Sequence, residues 1–178
     1  MQVYTGNGKG KTTAAIGLMV RAVGRRLRCC VVQFLKWCPE CGEMVAWREW
    51  LARAGVEWRQ FGRRPKPGEQ FAWVNPKQPL PEDLAGAEEG FEFARQAVNS
   101  GSYDLVVLDE INVAVAWGLV QEERVLELVR GRPDGVEVVL TGRGATENLL
   151  AAADLVTEMR EVKQPYHEGT PARVGIEC

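Results

Sequence analysis

Several features that define large classes of proteins are missing from this chain of 178 residues. No apolar run reaches the roughly 18 residues that a membrane-spanning helix needs, so we expect no membrane span. Met1 does not open a charged and then apolar leader, so we expect no secretory signal. Charge of one sign is not in excess, because 22 Lys and Arg stand against 24 Asp and Glu. This balance disfavours a protein whose main task is to bind nucleic acid.

Histidine and cysteine are also scarce. His167 is the single histidine, and the five cysteines are an odd number. Without a secretory signal, this count indicates a reducing cytoplasm rather than a disulfide framework. Cys38 and Cys41 have the spacing of a redox pair or of half a zinc site, but no second such pair completes four zinc ligands. We expect reduced loop thiols, with a structural zinc and a redox pair as the alternatives.

Strand and helix patterns alternate along the chain and predict one α/β domain over residues 1–178. Such alternation is typical of a mainly parallel sheet with helices on both faces. The predicted strands are Gln2–Thr5, Cys29–Leu35, Val56–Phe61, Tyr103–Leu108, Val136–Thr141 and Leu155–Glu158. The predicted helices are Thr12–Val23, Met44–Ala54, Glu82–Val98, Gln121–Val129 and Thr146–Ala153. The segment Gly62–Pro81 holds five prolines and is expected to be a long functional loop.

The richest glycine cluster lies between the first predicted strand and the first predicted helix. Its end, Gly10-Lys11-Thr12, matches the end of a phosphate-binding loop, although Thr5 stands where the usual pattern has glycine. Glycines let backbone N–H groups turn toward phosphate oxygens, and the start of the helix adds its positive dipole end. Lys11 supplies a positive charge, and Thr12 supplies a hydroxyl for magnesium. The predicted ATP contacts in this loop are Thr5, Gly6, Asn7, Gly8, Lys9, Gly10, Lys11, Thr12 and Thr13.

An acidic pair supplies the second half of a nucleotide site. Asp109 and Glu110 end a buried strand, which we expect to neighbour the first, and their carboxylates could hold magnesium or, alternatively, cap a helix. Arg143 lies in a later loop that we expect at the same sheet edge, so it is a candidate nucleotide contact. No glutamine or histidine stands in an obvious switch loop to activate a nucleophile. Either the protein is a generic NTPase, or its nucleophile arrives already strong.

Six short motifs, which follow one another in order along the whole chain, can be compared with those of a known family. They are Thr5–Ala15 (TGNGKGKTTAA), Val31–Lys36 (VVQFLK), Val106–Ile111 (VVLDEI), Leu140–Ala145 (LTGRGA), Ala153–Met159 (ADLVTEM) and Gly175–Glu177 (GIE). Together they resemble the P-loop type of ATP:corrinoid adenosyltransferase, which acts on cob(I)alamin or cob(I)yrinic acid a,c-diamide. The loop variant with Thr5 is itself a trait of that family. The resemblance implies a P-loop NTPase-like (RecA-like) single domain.

The family reaction explains why no base is evident. Cobalt(I) of the reduced corrinoid attacks the 5′ carbon of ATP and displaces triphosphate, so no proton has to be removed. The resemblance implies catalytic roles for Lys11, Thr12 and Glu110, with Mg²⁺ held by Thr12, Glu110 and Asp109. It also implies that Phe71 and Trp73 occupy one face of the corrinoid, so that cobalt(II) loses its axial ligand and is reduced more easily.

The resemblance also implies partners and a location. The expected partners are the corrinoid, an electron donor such as a reduced flavoprotein and a second copy of the chain in a homodimer, with neither nucleic acid nor a membrane. The expected location is the cytoplasm, and the expected process is adenosylcobalamin biosynthesis. Only four residues precede Thr5, where many family members carry a longer extension. The corrinoid pocket is therefore either more open here or closed by another segment.

Two other functions stay open on the residues alone. A generic P-loop NTPase or small-molecule kinase would use the same loop and release phosphate or ADP. An ATPase acting on nucleic acid would use the basic residues Arg21, Arg25, Arg26 and Arg28. Basic residues at the end of a helix also complement its dipole, which is the simpler explanation for them.

Overall fold

The computed structural model describes residues 1–67, 72 and 74–176. Its sheet contains six strands in the order β3-β2-β4-β5-β1-β6, and every pairing between them is parallel. The strands are β1 Gln2–Thr5, β2 Cys29–Phe34, β3 Glu57–Phe61, β4 Leu105–Asp109, β5 Glu137–Thr141 and β6 Leu155–Glu158. The helices are α1 Lys11–Val23, α2 Gly42–Ala46, α3 Pro81–Asn99, α4 Ile111–Ala116, α5 Glu122–Arg130 and α6 Glu147–Ala152.

The predicted fold class is confirmed, with two differences in the helices. The predicted helix Met44–Ala54 is α2 followed by a π-helical turn, Trp47–Leu51, in which the N–H of Ala52 donates to the carbonyl of Trp47. The short helix α4 was not predicted, because its apolar sequence INVAVA is too short to show a helical period. A 3₁₀ turn, Pro165–Glu168, follows β6. No helix within the described residues is both long and apolar enough to span a bilayer.

Apolar side chains pack on both faces of the sheet. One cluster joins the sheet to α3, α4, α5 and α6, and the other joins it to α1 and α2. Cys29 and Cys30 illustrate the alternation along a strand: both are buried, but they belong to opposite clusters. Because both faces are covered, the strands in the centre are mostly apolar, as β4 shows with four buried apolar residues before Asp109.

The order of the strands decides what meets at the edge where their carboxyl ends lie. The glycine-rich loop leaves the end of β1, and Asp109 ends β4. We expected these two strands to be neighbours, and that expectation was wrong: β5 lies between them. The end of β5 leads into Gly142, Arg143 and Gly144, so the loop, the acidic pair and Arg143 do share one edge of the sheet.

Candidate nucleotide-binding site

The glycine-rich loop ends in a helix start that is open to an anion. Gly10 is the residue before α1 and has φ 107°, a left-handed conformation that glycine adopts without strain. No side chain among the described residues caps this end of α1, so its first N–H groups and its positive dipole end face the loop. A helix start of this kind suits a phosphate group, and phosphate binding by this loop stays a prediction.

Lys11 lies inside the curve of the loop. Its ammonium donates hydrogen bonds of 2.7 Å to the carbonyl oxygens of Gly6 and Gly8, and the residue is only 7% exposed. Burial lowers the pKa of Lys11, and Arg143 lowers it further, while the carboxylates of Glu110 and Asp109 act in the opposite direction. The loop therefore holds a positive charge at its centre with one ammonium proton left for a further acceptor.

Two glycines of the loop are needed because the backbone after β6 lies against them. The N–H of Gly8 donates to the carbonyl of Met159 at 2.6 Å. A Cβ on Gly6 would lie 2.5 Å from that oxygen, and a Cβ on Gly8 would lie 2.7 Å from it. The sequence explained these glycines by the curl that turns N–H groups toward phosphate, and the structure shows that they also allow this close packing. The N–H of Gly8 is thus engaged by protein.

Other predicted contacts line the same loop. The hydroxyl of Thr5 accepts a 3.4 Å hydrogen bond from the N–H of Ala145, which ties the loop after β1 to the loop after β5. The side chains of Asn7, Lys9 and Thr13 are exposed, where a bound nucleotide could reach them. Their role as ATP contacts stays a prediction.

Asp109 is the centre of a buried hydrogen-bond network at the end of β4. Its Oδ1 accepts from the hydroxyl of Thr12 at 2.8 Å and from the hydroxyl of Thr141 at 2.7 Å. Its Oδ2 accepts from the amide nitrogen of Gln33 at 3.0 Å. Asp109 is 2% exposed, so three donors replace water around its carboxylate. Asp109 and Thr12 therefore meet directly, although one strand separates β4 from β1.

Glu110 has a backbone conformation that is rare for a residue with a side chain. Its φ is 64°, its N–H donates to the hydroxyl of Thr141 at 3.0 Å, and it directly precedes α4. Strain of this kind is frequent at functional sites, where the surrounding structure holds it in place. Burial and the neighbouring Asp109 raise the pKa of Glu110 to about 7, against the opposing effect of Lys11, Arg143 and Lys36. The Glu110 carboxyl is thus placed among the cations of the site.

Without nucleotide and with magnesium chelated, the free energy of unfolding is expected to fall between about pH 4.5 and pH 7. The folded protein holds the proton of Glu110 up to about pH 7, whereas the unfolded chain releases it near 4.5. The variant Glu110→Gln lacks this group, so its stability relative to the wild type should grow as the pH rises. Urea unfolding in EDTA at pH 5, 6, 7 and 8 measures this difference. A constant difference across that range would contradict the raised pKa.

Arg143 is held at the sheet edge by a loop that only glycine allows. Gly142 has φ 132°, and a Cβ there would lie 3.0 Å from the nitrogen of Val113. The amide of Asn112, which is fully buried, donates to the carbonyl of Gly142 at 3.3 Å. Arg143 itself is exposed, and its charge lowers the pKa of Lys11 and opposes the rise in the pKa of Glu110. The positive charge of Arg143 therefore affects the pKa values of two other candidate site residues.

Sequence reasoning assigned no role to three polar residues of this site. Gln33 and Thr141 bind Asp109, and Asn112 fastens the Arg143 loop to α4. Gln33 and Asn112 were each visible as the one polar residue of an apolar buried segment, and Thr141 was visible as the polar end of an apolar run. A buried polar residue of this kind needs a hydrogen-bond partner. Gln33, the lone polar residue of the strand CCVVQF, carried the clearest signal.

The Cys38–Cys41 pair offers little for redox chemistry. Cys41 is buried, and burial raises the pKa of its thiol to about 12. A thiol of high pKa is a poor nucleophile and a poor metal ligand, because the thiolate is the reactive form. Within the described residues, four cysteines are present as free thiols. These observations favour the expectation of reduced loop thiols.

Thr12 and Glu110 carry oxygen donors of the kind that a magnesium ion takes when it binds together with a nucleotide. Mg²⁺ in such sites takes one or two protein oxygens and completes its shell with phosphates and waters. Thr12 offers a hydroxyl and Glu110 a carboxylate, while both oxygens of Asp109 are already engaged. In the part of the chain that the structure describes, no three His, Cys, Asp or Glu side chains lie close enough to hold a metal alone. The donor set thus fits magnesium with nucleotide and does not fit an all-protein zinc site.

The family description that matches this sequence is ATP:corrinoid adenosyltransferase BtuR/CobO/CobP, over residues 1–178. The chain belongs to this family. Corrinoid adenosyltransferases of Pseudomonas aeruginosa and of Escherichia coli K12 are each 37% identical to it over 98% of its length, covering 81% and 83% of those proteins. The corresponding enzyme of Salmonella typhimurium is 36% identical over 98% of this chain and 83% of its own. The family's members are transferases, and a generic NTPase or kinase is not favoured.

Among solved structures, domain III of the replication initiation protein DnaA from Thermotoga maritima resembles this adenosyltransferase-family chain. The two share 14% sequence identity at a TM-score of 0.44, over 89% of this chain and 53% of that one. A likeness of this strength adds nothing to the family assignment.

Proposed function

We propose that this chain transfers the 5′-deoxyadenosyl group of ATP to cobalt(I) of a reduced corrinoid and releases triphosphate. The bond from cobalt to the 5′ carbon forms as the bond from that carbon to the triphosphate oxygen breaks, and the electron pair leaves with the triphosphate. Cobalt supplies both electrons of the new bond, so no general base is needed. The observation that carries this proposal is the buried ammonium of Lys11 inside a phosphate-type loop, in a chain of this family.

In this proposal the protein acts on the leaving group. Lys11 and the first N–H groups of α1 stabilise the charge that collects on the triphosphate. Thr12 and Glu110 would hold magnesium, which would neutralise part of the same charge. Asp109 orients Thr12 through their 2.8 Å hydrogen bond. Arg143 adds a positive charge at the mouth of the site.

Phe71 and Trp73 are the predicted contacts with the corrinoid face, and they lie outside the described residues. A cleft of about 710 Å³ supports a corrinoid site in this region. The cleft is lined by the described residues Trp37, Phe61, Arg64 and Phe93, and it opens beside Gly62, where the proline-rich loop starts. The Phe61 and Phe93 rings lie 5.5 Å apart, and the guanidinium of Arg64 lies 4.7 Å from the centre of the Trp37 ring. Such walls suit a large, flat substrate with polar edges.

Product analysis tests the proposed reaction. The protein is incubated with ATP, Mg²⁺ and chemically reduced cobalamin, and the products are separated by chromatography. We expect equal amounts of adenosylated corrinoid and inorganic triphosphate. Formation of ADP and phosphate at the same rate with and without corrinoid would refute the proposal and favour a generic NTPase.

The variants Phe71→Ala and Trp73→Ala are expected to slow the reaction from cobalt(II) more than the reaction from prereduced cobalt(I). The aromatic pair would act by displacing an axial ligand, which matters only when cobalt(II) must still be reduced. Trp50→Ala is the matched control, because Trp50 is a 67% exposed aromatic residue on the π-helical turn. Equal losses in the two assays would mean that the two aromatics have another role.

Magnesium, the electron donor, the homodimer and the cytoplasmic location are parts of the same proposal. Magnesium is supported by the oxygen donors at Thr12 and Glu110. The reduced flavoprotein, the second copy, the cytoplasm and the place in adenosylcobalamin biosynthesis are supported by family membership alone.

A further inference from the structure

Gln33 is a fully buried polar residue in the strand β2, where its neighbours are apolar. Burying a carboxamide is costly unless its oxygen and its nitrogen are both hydrogen-bonded. The cost is met by partners on two other strands, Trp58 and Gln60 on β3 and Asp109 on β4. Gln33 therefore bridges strands at the edge where the candidate site lies.

The direction in which the amide of Gln33 points follows from its partners. The indole N–H of Trp58 is a donor only, and it donates to Oε1 of Gln33 at 2.9 Å. The amide nitrogen of Gln60 donates to the same oxygen at 2.8 Å, since the oxygen of Gln60 accepts from the N–H of Cys38 at 3.0 Å. Two donors thus hold the oxygen of Gln33, and its NH₂ group must face Oδ2 of Asp109.

This orientation sets the rotation of the Asp109 carboxylate. Thr141 accepts from the N–H of Glu110, so its own proton goes to Oδ1 of Asp109. With Oδ2 held by Gln33, Oδ1 is turned toward Thr12, whose proton it accepts at 2.8 Å. The lone pairs of the Thr12 hydroxyl are then left for a cation. Without the Gln33 amide, one side of the carboxylate would have no partner among these residues, and it could rotate.

We propose that Gln33 is a positioning residue for the nucleotide site: its carboxamide, oriented by Trp58 and Gln60, fixes Asp109 so that Thr12 presents its oxygen to magnesium. This role of Gln33 rests on one part of the proposed function, namely that magnesium and ATP bind at Thr12. It is independent of the corrinoid and of the transfer step. Residues that orient the first ligands of a metal typically change its affinity about 10- to 100-fold.

The test is ATP binding to the full-length protein, measured by isothermal titration calorimetry with increasing Mg²⁺ and in EDTA. The variant Gln33→Glu keeps an oxygen for Trp58 and Gln60 but replaces the NH₂ group that Asp109 accepts from. We expect the Mg²⁺ concentration for half-maximal enhancement of ATP binding to rise about 10- to 100-fold, with little change in affinity in EDTA. Val31→Ala is the matched control, because Val31 is buried on β2 in the same cluster as Trp58 and has no link to Asp109.

The outcomes separate a positioning role from a structural one. Equal losses of ATP affinity with and without Mg²⁺, or a Mg²⁺ requirement equal to that of Val31→Ala, would overturn the role of Gln33. If Gln33→Glu does not fold, as urea unfolding would show, Trp58→Phe takes its place, since it removes one of the two donors that orient the amide. A Mg²⁺ requirement unchanged in Trp58→Phe would then overturn the proposal. Wild-type protein that binds ATP equally with and without Mg²⁺ would overturn both this role and the magnesium part of the proposed function.

Discussion

Replacing Lys11 with alanine is expected to remove nearly all adenosyl transfer, by about 100-fold or more in kcat, while the protein stays folded. The ammonium of Lys11 lies inside the loop on the carbonyls of Gly6 and Gly8, where a triphosphate would bind. Removing one preorganised donor to a developing oxyanion typically costs about 100- to 1000-fold in kcat. Triphosphate release from ATP and reduced corrinoid, followed by chromatography, measures the loss.

A second variant tests whether the loss of any positive charge near α1 lowers kcat. Arg25→Ala removes an exposed positive charge near the other end of α1, beyond its last turn. We expect its kcat to match that of the wild type, because Arg25 is remote from the loop. If Lys11→Ala retained more than a tenth of the wild-type kcat, the triphosphate would not lie in this loop, and the assignment of Lys11 would be wrong.

Replacing Asp109 with alanine is expected to lower the free energy of unfolding by about 3 kcal/mol or more. The hydroxyls of Thr12 and Thr141 and the amide of Gln33 all donate to this carboxylate. Each buried donor left without an acceptor costs about 1 to 3 kcal/mol. The donors of Thr141 and Gln33 are buried and that of Thr12 is half-buried, so together they give about 3 kcal/mol. Urea unfolding monitored by tryptophan fluorescence measures the change.

Asp109→Asn separates the stability of the network from its function. The asparagine oxygen can accept from Gln33, and the asparagine NH₂ group can donate to the hydroxyls of Thr12 and Thr141. In that arrangement all three hydrogen bonds survive, and the two that involve hydroxyls run in the opposite direction. The oxygen of Thr12 would then be engaged by that NH₂ group rather than available to magnesium. We expect this variant to be more stable than Asp109→Ala but to lose Mg²⁺-dependent ATP binding. An asparagine variant with the wild-type Mg²⁺ requirement would show that the charge and direction of Asp109 do not matter.

The prediction of the elements succeeded where the signal was local. The helix α1 shows apolar residues at helical spacing and follows a glycine cluster, and both features lie within about twenty residues. The same holds for β4, whose apolar run ends at Asp109 and Glu110. By contrast, the π-helical turn Trp47–Leu51 has the composition of an ordinary helix, so the sequence pattern could not distinguish it from one.

The candidate site was predicted only in part, because its supporting contacts join distant segments. Lys11, Thr12 and Asp109 carry recognisable motifs, and the structure brings them together. The contact of Met159 with the glycine loop joins residues about 150 positions apart, and no local pattern predicts it. The insertion of β5 between β1 and β4 is equally invisible, since the order of strands depends on how crossovers pack.

By itself the sequence determined the class of the fold, the place of the glycine-rich loop between β1 and α1, and the family of this protein. These rest on residue spacing and on the alternation of apolar runs, which are properties of neighbouring residues. Only the tertiary structure decided which polar side chains share the Asp109 carboxylate and in which direction each hydrogen bond runs. Gln33, Thr12 and Thr141 come from three different parts of the chain. The physical reason is that a buried carboxylate must find its donors wherever the fold brings them, and their place in the chain plays no part in that requirement.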